Sequence, residues 1–226
     1  MKKQDKSKGK QGSGKGGRKA RRTPDVRRAR KNLGDLARMW NELTEEQRTA
    51  WHHRARGMRS RVRNGRSYRL DGQKLFLKIN SVLLLLGREP RTEPPPEPRF
   101  GPNPVGELQI TDAGAGLALN LRVKGTLAEE VMVYASPPRN AGRRYCGDFR
   151  FLGLLPDPVE HWSDITRLYV RKFGVPPRNT RVFIRVWQVV DGWENKAAMQ
   201  ITSALVPARR GEAGGPTGAR QGGKRG

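Results

Sequence analysis

The 226-residue chain carries 46 Lys and Arg against 21 Asp and Glu, a formal charge of +25, which favours a polyanion such as nucleic acid and is also compatible with an acidic membrane surface or an acidic protein. A single cysteine, Cys146, excludes an intramolecular disulfide and any cysteine-rich zinc motif. The longest apolar run, at 82–86, is too short to span a bilayer, and the chain opens on charged residues with no apolar stretch, so a soluble cytoplasmic protein without a secretory signal is expected.

Residues 1–31 hold 14 Lys and Arg against Asp5 and Asp25. The stretch is mostly Gly, Lys, Ser and Arg, and after Met1 it has no apolar residue before Ala20. It buries too little surface to offset its ordering entropy, so a disordered basic tail is predicted. Lys15, Arg18, Lys19, Arg21 and Arg22 suit nonspecific phosphate contact by a flexible arm. They offer no geometry for reading bases. The alternative for such a run is a solubilising tail.

A helical bundle is predicted over 32–88. Leu33, Leu36, Trp40 and Leu43 recur at spacings of 3, 4 and 3, one face of a helix. Thr44-Glu45-Glu46-Gln47 fits a capping box that starts the next helix, with Ala50, Trp51, Ala55 and Met58 on one side and Asn64-Gly65 as its terminating turn. Asp71 then caps a third helix bearing Leu75, Phe76, Ile79, Val82, Leu83 and Leu86, with Gly87 just past its end. This helix is apolar enough to centre the bundle or to dock on the second half of the chain.

Eight arginines lie between positions 48 and 69 with no acid among them: Arg48, Arg54, Arg56, Arg59, Arg61, Arg63, Arg66 and Arg69. Read as a continuous helix, the run puts Arg48, Arg59 and Arg63 near one face and Arg54 with Arg61 on another. Like charges at these spacings repel, and phosphates relieve that repulsion. Arginine also forks onto phosphate through two N–H groups, which lysine cannot do. A cationic helix tip lying over the bundle is the plainer reading. His52 and His53 are expected at the surface.

Seven prolines in 87–104 predict an extended linker over 89–101. Beyond it, over 102–207, the period changes. "ELQIT", "LALNLRV", "EVMVYAS", "DITRLYV", "RVFIRVWQVV" and "AAMQITSALV" read as strands, with Leu117, Leu119, Leu121 and Val123 alternating against Ala118, Asn120 and Arg122. Asp191-Gly192 reads as a hairpin turn. Residues 208–226 form a second basic, Gly-rich tail predicted to be disordered. The fold class expected is α+β: a small helical bundle, then an antiparallel β-sandwich, flanked by basic tails.

Two resemblances rest on these stretches. "PNPVGELQIT", "GLALNLRV", "EEVMVYAS" and "RVFIRVWQVVDGWENKAAMQITSALVP" together resemble a fibronectin type III sandwich over 102–207. In that family the penultimate strand is long and aromatic, and a short turn leads to the last strand. The family's early-strand Trp is replaced here by the Leu119 and Leu121 neighbourhood, and "RRYCGDFRFLGLLPDPVEHWSD" is longer than the family leads one to expect between the middle strands. Residues 33–62 are similar to the second and third helices of an HMG box, matching at Trp40, Leu43, Thr44, Glu45, Glu46 and Trp51. A Gly/Arg-rich tail lies where that family's first helix and intercalating wedge belong, so no base-contacting residue is carried over.

No complete catalytic motif is present. "GSGKGG" has no strand before it and is not a phosphate-binding loop. Glu160, His161, Ser163 and Asp164 crowd one loop, whereas catalytic triads converge from distant segments, so loop polarity is expected. Three histidines and one cysteine argue against a metal site built from them, and no cofactor is expected. Trp40, Trp51, Phe76, Trp162, Trp187 and Trp193 are expected in the core, with Trp193, after a turn glycine, the one most exposed. The sequence therefore points to a non-enzymatic protein that binds DNA or RNA with low sequence specificity through Lys15, Arg18, Lys19, Arg21, Arg22, Arg48, Arg54, Arg56, Arg59, Arg61, Arg63 and Arg66, with the sandwich engaging a protein partner. The alternative is a structural or assembly protein whose sandwich makes the main contacts.

Overall fold

The computed structural model describes residues 24–61, 67–112 and 116–208. Three helices come first. α1 (Pro24–Glu42) begins on a proline, whose fixed φ and missing N–H suit a first helical turn. It starts within the stretch expected to be a basic tail. α2 (Glu45–Ala55) opens on the expected capping box: Gln47 N donates to Thr44 Oγ1 at 3.3 Å, and Thr44 N donates to Gln47 Oε1 at 3.0 Å. α3 (Gly72–Leu85) is capped by Asp71, which accepts from Lys74 N at 2.8 Å. It closes in a Schellman motif, Gly87 N to Leu84 O and Arg88 N to Leu83 O, with Gly87 at φ 75°.

The long arginine helix is corrected. α2 stops at Ala55, Gly57 turns the chain at φ 79°, and a two-stranded ribbon comes next, β1 (Arg59–Arg61) against β2 (Ser67–Arg69). Past Met58 the sequence offers no apolar stripe to hold a helix on the bundle, and helices rest on such stripes. Arg59 and Arg61 are thus strand residues, while Arg63, Arg66 and Asn64-Gly65 lie outside the described residues.

The β region runs β3 (Val105–Asp112), β4 (Leu117–Val123), β5 (Glu130–Ala135), β6 (Arg139–Asn140), β7 (Arg150–Leu154), β8 (Trp162–Asp164), α4 (Thr166–Phe173), β9 (Thr180–Val190), β10 (Trp193–Glu194) and β11 (Gln200–Leu205). One antiparallel sheet is ordered β3–β4–β8. The other is ordered β10–β9–β5–β7, with β11 and the short β6 also paired to β9. Leu119, Leu121 and Val123 of β4 meet Val131, Val133 and Ala135 of β5 and Val182, Ile184 and Val186 of β9 in the core between the sheets. Two expectations shift here. "DITRLYV" is not a strand. Ile165, Tyr169 and Phe173 stand four apart, and the segment folds as α4, with Tyr169 buried and its hydroxyl donating to Ser136 O at 3.1 Å. The long middle stretch contributes two unforeseen strands, β7 and the short β8.

The second sheet is covered on both faces. Val82 of α3 packs on Met132, Trp187 and Val189, which explains why β9 reads as a near-continuous apolar run. Above it, Leu36, Trp40, Leu43, Trp51, Leu75, Phe76, Ile79 and Leu83 form the helical core, with Phe76 5.3 Å from Trp51 edge-on. Trp193 belongs to this cluster and is 7% exposed, contrary to expectation: the β9–β10 turn inserts it under the helices. Leu33, expected on the buried face of α1, is 50% exposed. The Pro-rich stretch lies across the helices. Asn80, fully buried, accepts from Arg91 N at 2.7 Å and donates to Arg91 O at 3.1 Å, and Trp51 Nε1 donates to Thr92 O at 2.7 Å. At its far end, Gln188 Nε2 donates to Gly101 O at 3.1 Å and to Glu129 Oε2 at 3.0 Å.

Candidate nucleic-acid interface

Among the described residues, the predicted phosphate-binding side chains do not form one surface. Lys15, Arg18, Lys19, Arg21 and Arg22 lie outside the described residues. Arg48 is committed locally: its Nη2 donates to Asn41 O at 2.9 Å and its Nη1 reaches Glu45 Oε2 at 3.4 Å, fastening the end of α1 to the start of α2. Arg54 and Arg56 flank a shallow depression with His53 and Glu97. Arg56 is exposed at the α2 C-cap, where a cation suits the carbonyl end of the helix dipole.

The ribbon brings together cations that the sequence spaces ten residues apart. Arg59 pairs directly across from Arg69, and Arg61 across from Ser67. Both Arg59 and Arg69 are exposed. Two like charges placed across a ladder concentrate positive potential at one point of the surface. Between them in the chain sits Tyr68, 42% exposed, with the Lys74 ammonium 5.8 Å from its ring centroid. Lys74 is also held by Asp71 Oδ2 at 2.5 Å, and this hydrogen bond, foremost among the causes, keeps the Asp71 carboxyl below its ordinary range. Arg56, Arg59 and Arg69 therefore bring three guanidiniums into one short connection beside the partly exposed Tyr68 ring, which Lys74 already approaches. Sequence reasoning placed Arg69 in the run without selecting it, and passed over Tyr68. Strand pairing, with its cross-strand partners, was the missing signal.

Other clusters resolve into structural roles. The Arg185 guanidinium lies 4.5 Å from the ring centroid of Phe149, 5.1 Å from Trp187 and 5.4 Å from Tyr134, with Lys196 5.3 Å from Trp187 on the same ring system. The chain's own cations thus occupy this aromatic stack. Ser163 is buried and donates to Pro156 O at 2.6 Å, tying β8 to the loop before it, and Asp164 Oδ1 accepts from Thr166 N at 2.8 Å, fixing the β8–α4 turn. Cys146 is buried with its Sγ 3.5 Å from Asp148 O. Among the described residues no group of three His, Cys, Asp or Glu is arranged to hold a metal ion, and no helix is long and apolar enough to cross a membrane.

A second cationic assembly escaped the sequence altogether. Arg28 of α1, Arg150 of β7, and Arg171 and Lys172 of α4 border one groove. They are dispersed in sequence, and all three carriers escaped the reading: Arg28 lies in the stretch expected to be a tail, Arg150 on an unread strand, and Arg171 and Lys172 on a helix that begins in a segment read as a strand. Comparison of the chain with protein-family models, with curated proteins and with solved structures finds no match.

Proposed function

We propose that this is a non-enzymatic, nucleic-acid-associated protein that holds phosphate backbones without sequence preference through its basic tail and the β1–β2 ribbon, and that its β region, a sandwich of fibronectin type III type, engages a protein partner. The observation carrying the reading is the face-to-face placement of Arg59 and Arg69 beside Arg56 on a ribbon joining two helices. Such an arrangement concentrates positive charge at one point of the surface, and a polyanion is attracted to it. A two-stranded ribbon also fits the width of a B-DNA major groove. The β region's support is topological: antiparallel β3–β4–β8 packed on β7–β5–β9–β11, with a long aromatic-bearing β9 entering a short turn.

The test is binding to a fluorescent duplex over a series from about 50 to 200 mM salt, where each phosphate neutralised adds about 0.9 to the log–log slope. Replacing Arg54, Arg56, Arg59 and Arg69 together by Gln should lower the slope by about 3 to 4, and removing residues 1–23 should lower it further. Single-stranded RNA and DNA probes run alongside assign the nucleic acid. An unchanged slope in the four-arginine variant removes the ribbon from the interface. No binding of the full chain near 50 mM salt overturns the nucleic-acid reading and leaves the assembly protein, for which light scattering should then show a defined oligomer.

A further inference from the structure

The groove bordered by Arg28, Arg150, Arg171 and Lys172 encloses about 890 Å³. Its floor is apolar: Leu33 from α1, Leu84 and Leu85 from the end of α3, and Phe151 from β7. Leu33 is 50% exposed and Leu85 40% exposed. The reason lies in α1. Its apolar stripe, Leu36, Trp40 and Leu43, is buried in the helical core, but the same stripe continues backward through Leu33 and Ala29 beside the last turn of α3, where Leu33 and Leu85 stay exposed. The leftover apolar face is walled opposite by β7 and α4, so it becomes a trough with cations on both sides. Among the described residues no acidic one lines it.

We infer that this groove docks an acidic amphipathic helix of a partner protein, apolar side down, with its carboxylates on the flanking cations. Charge complementarity selects the occupant. The chain's own remaining segments, 1–23 and 209–226, are strongly basic and almost devoid of large apolar residues, so the rim repels them. An extended strand is disfavoured as well. The open edge of β7 is broken by a bulge in its pairing with β5, and Arg171 Nη2 donates to Leu152 O at 3.3 Å, taking up an edge carbonyl that an added strand needs. What the trough offers is side-chain pockets between two helices, the geometry of helix-in-groove recognition. The inference names the partner chemistry for the protein-binding half of the proposed function, and it stands whether or not the ribbon binds nucleic acid.

The test uses the full chain and a labelled peptide of about 14 residues, roughly 20 Å as a helix, with leucines at i, i+3, i+4 and i+7 and glutamates on both flanks. A scrambled peptide of the same composition measures the general attraction of a +25 protein for acid. The patterned peptide should bind at least about tenfold more tightly than the scrambled one. Leu33→Glu combined with Leu85→Glu, both at exposed positions, should abolish that preference while leaving the melting temperature and the weak binding of the scrambled peptide unchanged. Replacing Arg54, Arg56, Arg59 and Arg69 by Gln should leave the preference intact. Equal binding of the two peptides, or a preference surviving in the double variant, overturns the inference. So does a wild-type dimer that the double variant converts to a monomer, which assigns the groove to a second copy. Displacement of the peptide by phosphatidylglycerol vesicles, dependent on Leu33 and Leu85, assigns it to a lipid surface and likewise overturns the inference.

Discussion

Replacing Gly192 by alanine tests the joint between the helices and the β region. Gly192 is buried at the tip of the β9–β10 hairpin with φ 85°, and Asp191 beside it has φ 48°, so both central residues of the turn are left-handed. A Cβ at 192 would stand 2.7 Å from Ile79 Cγ2 and 2.8 Å from Ile79 O on α3. Ile79 is fully buried and its Cγ2 sits directly on Cβ, and the carbonyl is part of the helix, so neither yields freely. Forcing a Cβ into left-handed backbone costs about 1–2 kcal/mol, and overpacking a filled contact costs about 1–3 kcal/mol. A total near 3 kcal/mol lowers the melting temperature of a chain this size by about 6–12 °C, read by thermal denaturation followed at 222 nm and by tryptophan fluorescence, since Trp193 moves with the turn. Gly106→Ala is the control: its Cβ meets nothing nearer than 3.8 Å, and the melt should stay within about 2 °C. Ile79→Ala at this fully buried site costs about 2–5 kcal/mol by itself, and in a double-mutant cycle, by removing Cγ2 but not the carbonyl, it should reduce the Gly192→Ala penalty by at least about 0.5 kcal/mol. A Gly192→Ala melt indistinguishable from wild type would mean the hairpin does not seat against α3 as described.

Two other perturbations concern buried polar contacts. Asn80→Ala strands the Arg91 N–H and C=O that Asn80 satisfies, costing about 2–3 kcal/mol, and should speed trypsin cleavage after Arg88 and Arg91; an unchanged cleavage rate removes Asn80 as the anchor of the Pro-rich stretch. Burial pushes the Tyr169 hydroxyl above the ordinary tyrosine value near 10. Above that pH the unfolded chain releases a proton the folded chain keeps, so stability falls by up to about 1.4 kcal/mol per pH unit from this group, and below it the group adds no pH dependence. Tyr169→Phe should cost about 1 kcal/mol at neutral pH through the lost hydrogen bond to Ser136 O, yet flatten the decline of melting temperature between about pH 10 and 11.5. Parallel declines in wild type and variant would show that Tyr169 does not govern the alkaline limb.

How far the chain could be read depended on the distance over which each signal acts. The Thr44–Gln47 box, the Asp71 cap, the Gly87 terminus and the Asp191-Gly192 turn are relations among residues within about five positions, and each was legible. The alternation of Leu119, Leu121 and Val123 likewise declared a strand with one buried face. Where local signals were balanced, the reading failed. An arginine run from 54 to 69 has no apolar period of its own, so nothing in it told helix from ribbon. The run from Ile165 to Phe173 offers both β-branched residues and a helical spacing, and the packing of Tyr169 against the sheets decided for the helix.

By itself the sequence determined the order of helices before strands, the main caps and turns, and the massing of positive charge outside the β region, because these depend on neighbouring residues and composition. Only the tertiary structure decided that Trp193 is buried while Leu33 is not, that Arg59 faces Arg69, and that Arg28, Arg150, Arg171 and Lys172 share one trough. Those are relations between surfaces that meet only after the chain has folded back on itself. An apolar or charged side chain carries no record of which distant face will stop short of covering it.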